Sequence, residues 1–172
     1  EINLPSHIKD KIEIMERNAR RMLRLVNQLL DFRKIQKEQM ELKVRRIELV
    51  DFVNEIYKNF LPIAEHKKIK YQYIKPFEPI FVWVDPKKFD SVVFNILSNA
   101  FKYTGEYKKI TIEIKKTENF IDLIISDEGK GIPSDKIPLL FKRFSPLSHT
   151  SSGFEGTGIG LNLSYEIMKL HH

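Results

Sequence analysis

Two asparagines stand one helical turn apart in the stretch DPKKFDSVVFNILSNAFKYT, and a lysine and a tyrosine follow them. Asn95, Asn99, Lys102 and Tyr103 occupy positions i, i+4, i+7 and i+8, which share one face of a helix. Val93, Ile96, Leu97 and Ala100 take the opposite face. Asparagine is a poor interior helix residue and is costly to bury without partners. The stripe is therefore either a solvent face or a ligand face. As a ligand face its chemistry is specific: a carboxamide oxygen suits a hard cation such as magnesium, and a lysine suits phosphate.

A second stretch, FIDLIISDEGKGIP, carries a carboxylate at the end of a strand. Ile121, Leu123, Ile125 and Asp127 share strand parity, so Asp127 continues the apolar, inward face. A carboxylate there needs donors to offset its desolvation. Its own glycine turn can supply one, as in many D-x-G turns; the exocyclic amine of adenine is the alternative. Gly129 and Gly131 flank Lys130 and let the backbone approach a ligand.

The third stretch is LLFKRFSPLSHTSSGFEGTGIG. Phe141 and Phe144 flank Lys142 and Arg143, a polar loop runs from Ser145 to Glu155, and Gly156, Gly158 and Gly160 alternate with Thr157 and Ile159. Loops of this length commonly act as lids or lack order. Ile159, Leu163, Ile167 and Leu170 then repeat at helical spacing. The free N–H groups of a helix N-terminus attract phosphate. The glycine spacing matches neither the P-loop nor the dinucleotide fingerprint, so a tightly packed turn is the other reading.

These residues need a scaffold of alternating strands and helices. Asp85-Pro86 opens the helix that carries the asparagines, with Asp85 as cap and Pro86 at the first position. VRRIEL, KYQYI and IFVWVD read as strands, and KKITIEIKK with NFIDLIIS reads as a hairpin across Thr117–Glu118. VDFVNEIYKNFLPIAEHKKI reads as an amphipathic helix that Pro62 kinks or ends early. A short helix is expected near Ser134–Phe141. Ahead of all this, one long helix is expected from about Ser6, its N-cap, to Lys37. Ile8, Ile12, Met15, Ala19, Met22, Val26 and Leu29 follow alternating steps of four and three, an a/d seam that needs partner helices.

The bulk numbers bound these readings. The chain has 172 residues, 42% hydrophobic and 30% charged, an ordinary globular mix. It has no cysteine, which excludes disulfides and thiolate metal sites. The formal net charge of +6 permits a polyphosphate or nucleic-acid ligand, but the lysines are scattered without a dense basic block, so no nucleic-acid role is expected. No secretory leader is seen, no apolar run is long enough to span a bilayer, and Glu1 opens in mid-helix style, so the chain is expected to be a fragment.

The order and spacing of the stretches are more specific than any one of them. The chain resembles the catalytic, ATP-binding part of bacterial sensor histidine kinases, in the gyrase, chaperone and mismatch-repair ATPase superfamily. NILSNAFKYT resembles that family's asparagine box, DEGKGI its first glycine box, FKRF its phenylalanine box and GTGIGL its second glycine box. The lid wording also resembles the hybrid sensors of Bacteroidetes. The resemblance covers nearly the whole chain. It implies an α/β two-layer sandwich with a mixed sheet under helices for residues 41–172. Residues 1–40 would then be the second helix of a dimerisation and phosphoacceptor hairpin.

Residue by residue, the resemblance implies that Asn95 ligates Mg²⁺ and that Asn99 contacts phosphate or the metal's waters. Lys102 meets phosphate, Tyr103 borders the ribose and base, and Asp127 accepts from the adenine amine of ATP. Gly129 and Gly131 admit the base, and Arg143 reaches the γ-phosphate. Gly156, Gly158 and Gly160 anchor the lid, with Phe144 and Thr157 also among the nucleotide-binding residues. Where hydrolysing relatives place a glutamate, this chain has Ser91, which suits a kinase better than an ATPase. The implied partners are a second copy in a homodimer, a missing phosphoacceptor helix and a response-regulator receiver domain. The fragment alone is then not expected to autophosphorylate. The setting is the cytoplasmic portion of a membrane sensor, with the membrane reached only through the parent protein. Relatives continue past KLHH with two more strands, so the catalytic unit is expected to lack its last strands. His171 and His172 read as either native or tag residues. The rival functions are a serine kinase or ATPase of the same superfamily, and a degenerate ATP-binding scaffold.

Overall fold

The computed structural model describes residues 5–141 and 158–171. Its contacts divide the chain into two compact units, Glu1–Met40 and Glu41–His172.

The first unit is α1, Ser6–Gln36. Pro5 holds the N-cap position and makes no side-chain cap, so Ser6 is the first helical residue and not the expected cap. Proline fixes its own φ and needs no N–H partner, so the helix can start directly after it. Arg33 and Lys34 in the last turn complement the negative end of the helix dipole. The seam itself is bare: Ile12, Met15, Met22, Val26 and Leu29 are all exposed.

The second unit runs β1 (Arg45–Glu48), α2 (Leu49–His66), β2 (Lys70–Ile74), β3 (Phe81–Val84), α3 (Pro86–Tyr103), β4 (Lys109–Lys116), β5 (Ile121–Asp127) and, after a short 3₁₀ turn, α4 (Gly160–Leu170). β1 pairs antiparallel with β3. β2 pairs parallel with β4, and β4 pairs antiparallel with β5 across the turn that Thr117 closes. The pairing is therefore mixed, as the sequence implies. Alternation on β4 buries Ile110, Ile112 and Ile114 on one face, and Val53, Ile56 and Phe60 of α2 with Val93, Leu97 and Phe101 of α3 complete the core. Each such side chain contributes about 1.5–3 kcal/mol when fully buried, so the core clamps α2 and α3 onto the strands.

Two expectations change. α2 runs through Pro62 to His66. Pro62 stands one turn from the helix end, and Phe60 and Ala64 on either side are buried, so packing offsets the lost hydrogen bond. The short helix expected near Ser134–Phe141 is a 3₁₀ turn, Ser134–Leu139. Pro138 inside it cannot donate to an α-helical ladder.

Carboxylate acceptors set where these helices start. Asp85 caps α3 as expected, its Oδ1 accepting from the Lys87 and Lys88 N–H groups at 3.0 and 3.1 Å. Its Oδ2 accepts from the Lys43 N–H at 2.8 Å. Burial alone would raise the pKa of Asp85, but the three N–H bonds and nearby Lys88 outweigh it and hold the value below normal. Glu48 does the same for α2, accepting from Val50 and Asp51, and it also takes the Ile80 N–H ahead of β3. Its pKa is likewise lowered against the upward push of burial by those three bonds, with Lys75 assisting. His171 joins α4 to this frame: its Nε2 accepts from the Asp85 N–H at 3.0 Å and its Nδ1 lies 2.8 Å from the Ile167 carbonyl.

β3 and β5 are not hydrogen-bonded to each other. Between them lies an apolar cavity of about 320 Å³, lined by Val82 and Val84 of β3, Leu123 and Ile125 of β5, Ile96 of α3 and Met168 of α4.

Candidate functional site

The polar stripe of α3 forms as the spacing predicts, but it is no open solvent face. Asn95, Asn99, Lys102 and Tyr103 are all half-buried, while Val93, Leu97 and Ala100 are buried behind them. α4 causes this by packing along α3. The Asn95 Nδ2 donates to the Ser164 Oγ at 2.9 Å. A Cβ built on Gly160 would run into the Asn95 carboxamide, its Oδ1 first. Gly160 is therefore glycine for a packing reason at its meeting with Asn95.

At the other end of α3, Lys102 Nζ lies 5.0 Å from the centroid of the Tyr103 ring and Lys130 Nζ lies 5.4 Å from it. Two ammonium groups thus share one aromatic ring, with the attraction expected of cations near a π face. Lys130 comes from the turn after β5. That turn packs close to α3: a Cβ on Gly129 would meet the Tyr103 carbonyl at 3.0 Å and the Asp127 carboxylate closer still. Gly131 follows with φ +68° and Gly158 has φ +65°, both in the left-handed region that favours glycine.

Asp127 differs from its sequence reading in one respect. Its register partner is Ile110, so it keeps the parity of the core face. Yet it is exposed, because the strand ends there and the core stops at Ile110. Its Oδ1 accepts the Gly129 N–H at 2.8 Å, the turn-capping alternative, and among the described residues no second donor reaches it.

Ile159 stands at the N-cap of α4, and its apolar side chain offers no acceptor to the first N–H groups of that helix. Asn162 in its first turn is buried, donates from Nδ2 to the Phe141 carbonyl at 2.6 Å, and leaves its Oδ1 without a partner. The Phe141 and Tyr165 rings meet with centroids 5.3 Å apart. The structure thus brings Asn95 to Gly160, and Tyr103 to Gly129 and Asp127. Arg143, Phe144, Gly156 and Thr157 lie outside the described residues. The sequence reading did not single out Ser164 or Lys130. Lys130 sits between two selected glycines and was accessible on that ground; nothing in its local sequence marks Ser164.

A family model described as histidine kinase-, DNA gyrase B- and HSP90-like ATPase matches residues 84–172, which holds every one of these side chains. The chain belongs to that family. Histidine kinase P4 of Formosa agariphila is 33% identical over 165 residues, 94% of this chain and 12% of that relative. Sensor histidine kinase TmoS of Ectopseudomonas mendocina is 36% identical over 164 residues, 94% of this chain and 17% of that protein. The chain therefore spans a small part of the curated relatives it matches. Full-length ShkA, solved in complex with AMPPNP, shares the fold with a TM-score of 0.74 at 19% identity, over 97% of this chain and 35% of that one.

An ATPase domain of this family takes a nucleotide, and the residues present fit one. The N-terminus of α4 and the two ammonium groups suit phosphates. The Gly129 turn makes a close-packed edge beside an exposed carboxylate, and Thr104 Oγ1 is buried and unpartnered next to Tyr103. No cluster of three or more His, Cys, Asp or Glu occurs among the described residues. The single carboxamide oxygen of Asn95 would suit Mg²⁺, which keeps several waters and binds through one or two protein oxygens plus substrate phosphates. Among the described residues no helix is long and apolar enough to cross a membrane.

Proposed function

We propose that this chain is the catalytic part of a sensor histidine kinase. It binds MgATP and positions the γ-phosphoryl group for transfer to a histidine on a helix outside this chain. The bond from the γ-phosphorus to ADP breaks, a phosphorus–nitrogen bond forms, and a response-regulator aspartate later takes the phosphoryl group. The observation that carries this reading is the meeting of Asn95 with the first turns of α4, at Gly160 and Ser164. The names of the two relatives and the AMPPNP complex of ShkA support it.

In this reading Asn95 would hold Mg²⁺, which when bound would supply positive charge to the phosphates. Asn99 and Lys102 face the phosphates, Tyr103 borders the base, and Asp127 accepts the adenine amine at the edge formed by Gly129 and Gly131. Gly158 and Gly160 set the mouth of α4. Arg143, Phe144, Gly156 and Thr157 keep the nucleotide roles that the family resemblance assigns. α1 pairs its bare seam with a second copy and a phosphoacceptor helix, which makes Glu1–Met40 the dimerisation unit. The parent protein would present this part on the cytoplasmic face of a membrane.

Calorimetric titration with AMPPNP and Mg²⁺ tests the core of the reading. Saturable one-site binding is expected, weakened by Asp127→Asn and Asn95→Ala. No binding, or binding indifferent to both substitutions, overturns it. Mixing the chain with the parent's acceptor helices and labelled ATP should give acid-labile phosphate on histidine. Acid-stable label would indicate a serine kinase, and binding without transfer a scaffold.

A further inference from the structure

Asn95 is the residue on which the cation reading depends, and a carboxamide is ambiguous. Its two ends have nearly the same shape and opposite chemistry: the oxygen can ligate a cation and the NH₂ cannot. A half-buried asparagine with no constraint on that flip would present the wrong end part of the time. α4 restrains the flip: the Ser164 hydroxyl, which can donate or accept, here accepts from Nδ2. Ser164 is buried, one turn after Gly160, and its Oγ sits 2.9 Å from Asn95 Nδ2. Gly160 leaves room for Oδ1 where any side chain would collide with it. One contact takes the NH₂, and the other clears space for the oxygen beside the first turn of α4.

From this we infer that Ser164 is a positioning residue, fixing the Asn95 carboxamide so that Oδ1 is the atom offered to the cation. The inference rests on the proposed role of Asn95. Ser164 touches neither nucleotide nor metal in this account; it acts through Asn95. The interaction spans 69 positions in sequence, so it also makes cation binding depend on α4 being docked against α3.

The test uses the whole 172-residue chain. AMPPNP affinity is measured by calorimetry in Mg²⁺ and in EDTA for the unsubstituted chain, Ser164→Ala and Ser164→Thr. Ser164→Ala should lose about fivefold in Mg²⁺, the size of one ordinary hydrogen bond, and nothing in EDTA. Ser164→Thr, which keeps the hydroxyl, should recover most of the loss. Separately, in ¹⁵N-asparagine-labelled protein without nucleotide, the Asn95 side-chain NH₂ signal should shift in Ser164→Ala. Equal losses in Mg²⁺ and EDTA mean that Ser164 is only a packing residue and overturn the inference. An unshifted NH₂ signal overturns it at the level of the hydrogen bond. A shifted signal with unchanged Mg²⁺ dependence overturns the positioning role while leaving the bond. If the unsubstituted chain binds AMPPNP equally in Mg²⁺ and EDTA, the role of Asn95 itself falls, and the inference with it.

Discussion

Asp85 follows β3 and Asp127 ends β5, and both accept backbone N–H groups, yet they differ in what is left over. Asp85 is buried at 4% exposure and takes three N–H donors, from Lys43, Lys87 and Lys88. Asp127 is exposed and takes one, from Gly129. A buried carboxylate whose lone pairs are occupied contributes stability and has little capacity for a ligand. An exposed carboxylate with spare acceptor capacity contributes little stability and can recognise a donor. The lesson is that the number of donors, more than the residue type, separates a structural aspartate from a recognition aspartate.

Asp85→Ala should break the structural side most severely. It strands two N–H groups at the start of α3 and the Lys43 N–H, costing about 3 kcal/mol. The melting temperature should fall by about 10 °C. A melt within a degree or two of the unsubstituted chain would show that those donors find water instead. Asp127→Asn probes the recognition side. It should leave the melting temperature unchanged and weaken AMPPNP binding by about 10- to 100-fold, the range for a hydrogen bond to a charged group. If Asp127→Asn unfolds the domain and Asp85→Ala abolishes binding without destabilising, the contrast is reversed.

Acid titration sharpens the same division. Asp85 and Glu48 have folded pKa values below their ordinary 3.8 and 4.5. The stability they add is complete above those ordinary values and is lost as pH falls through the lower folded ones. Melts recorded from pH 7 to pH 2 should drop steeply only below about pH 4.5, and Asp85→Asn should flatten that drop. The smallest expected effect is His171→Ala, which removes the acceptor of the Asp85 N–H. It should cost about 1 kcal/mol by melting, with AMPPNP affinity intact. His171 engages the frame through both ring nitrogens, and in that respect it acts as a residue of the domain.

Local patterns were legible wherever one element decided the outcome. Spacing alone placed Asn95, Asn99, Lys102 and Tyr103 together on α3, and the Asp85-Pro86 pair marked where that helix starts. Parity placed Asp127 on the core side of β5, and its register opposite Ile110 agrees. Whether Pro62 would end α2 early was not legible, because burial of Phe60 and Ala64 overrides a local breaker. The second cap was missed for a related reason: one of Glu48's three bonds goes to Ile80, 32 positions away.

The sequence by itself determined the helices, the strand alternation, the four family stretches and the residue types able to meet a nucleotide. Those follow from rules that act within one or two turns of chain. Only the tertiary structure decided that Gly160 abuts Asn95, that Ser164 takes its NH₂, and that Lys130 joins Lys102 at the Tyr103 ring. Helix docking and the β5 turn bring those groups together, and the pattern within a single segment does not encode which segment it will meet.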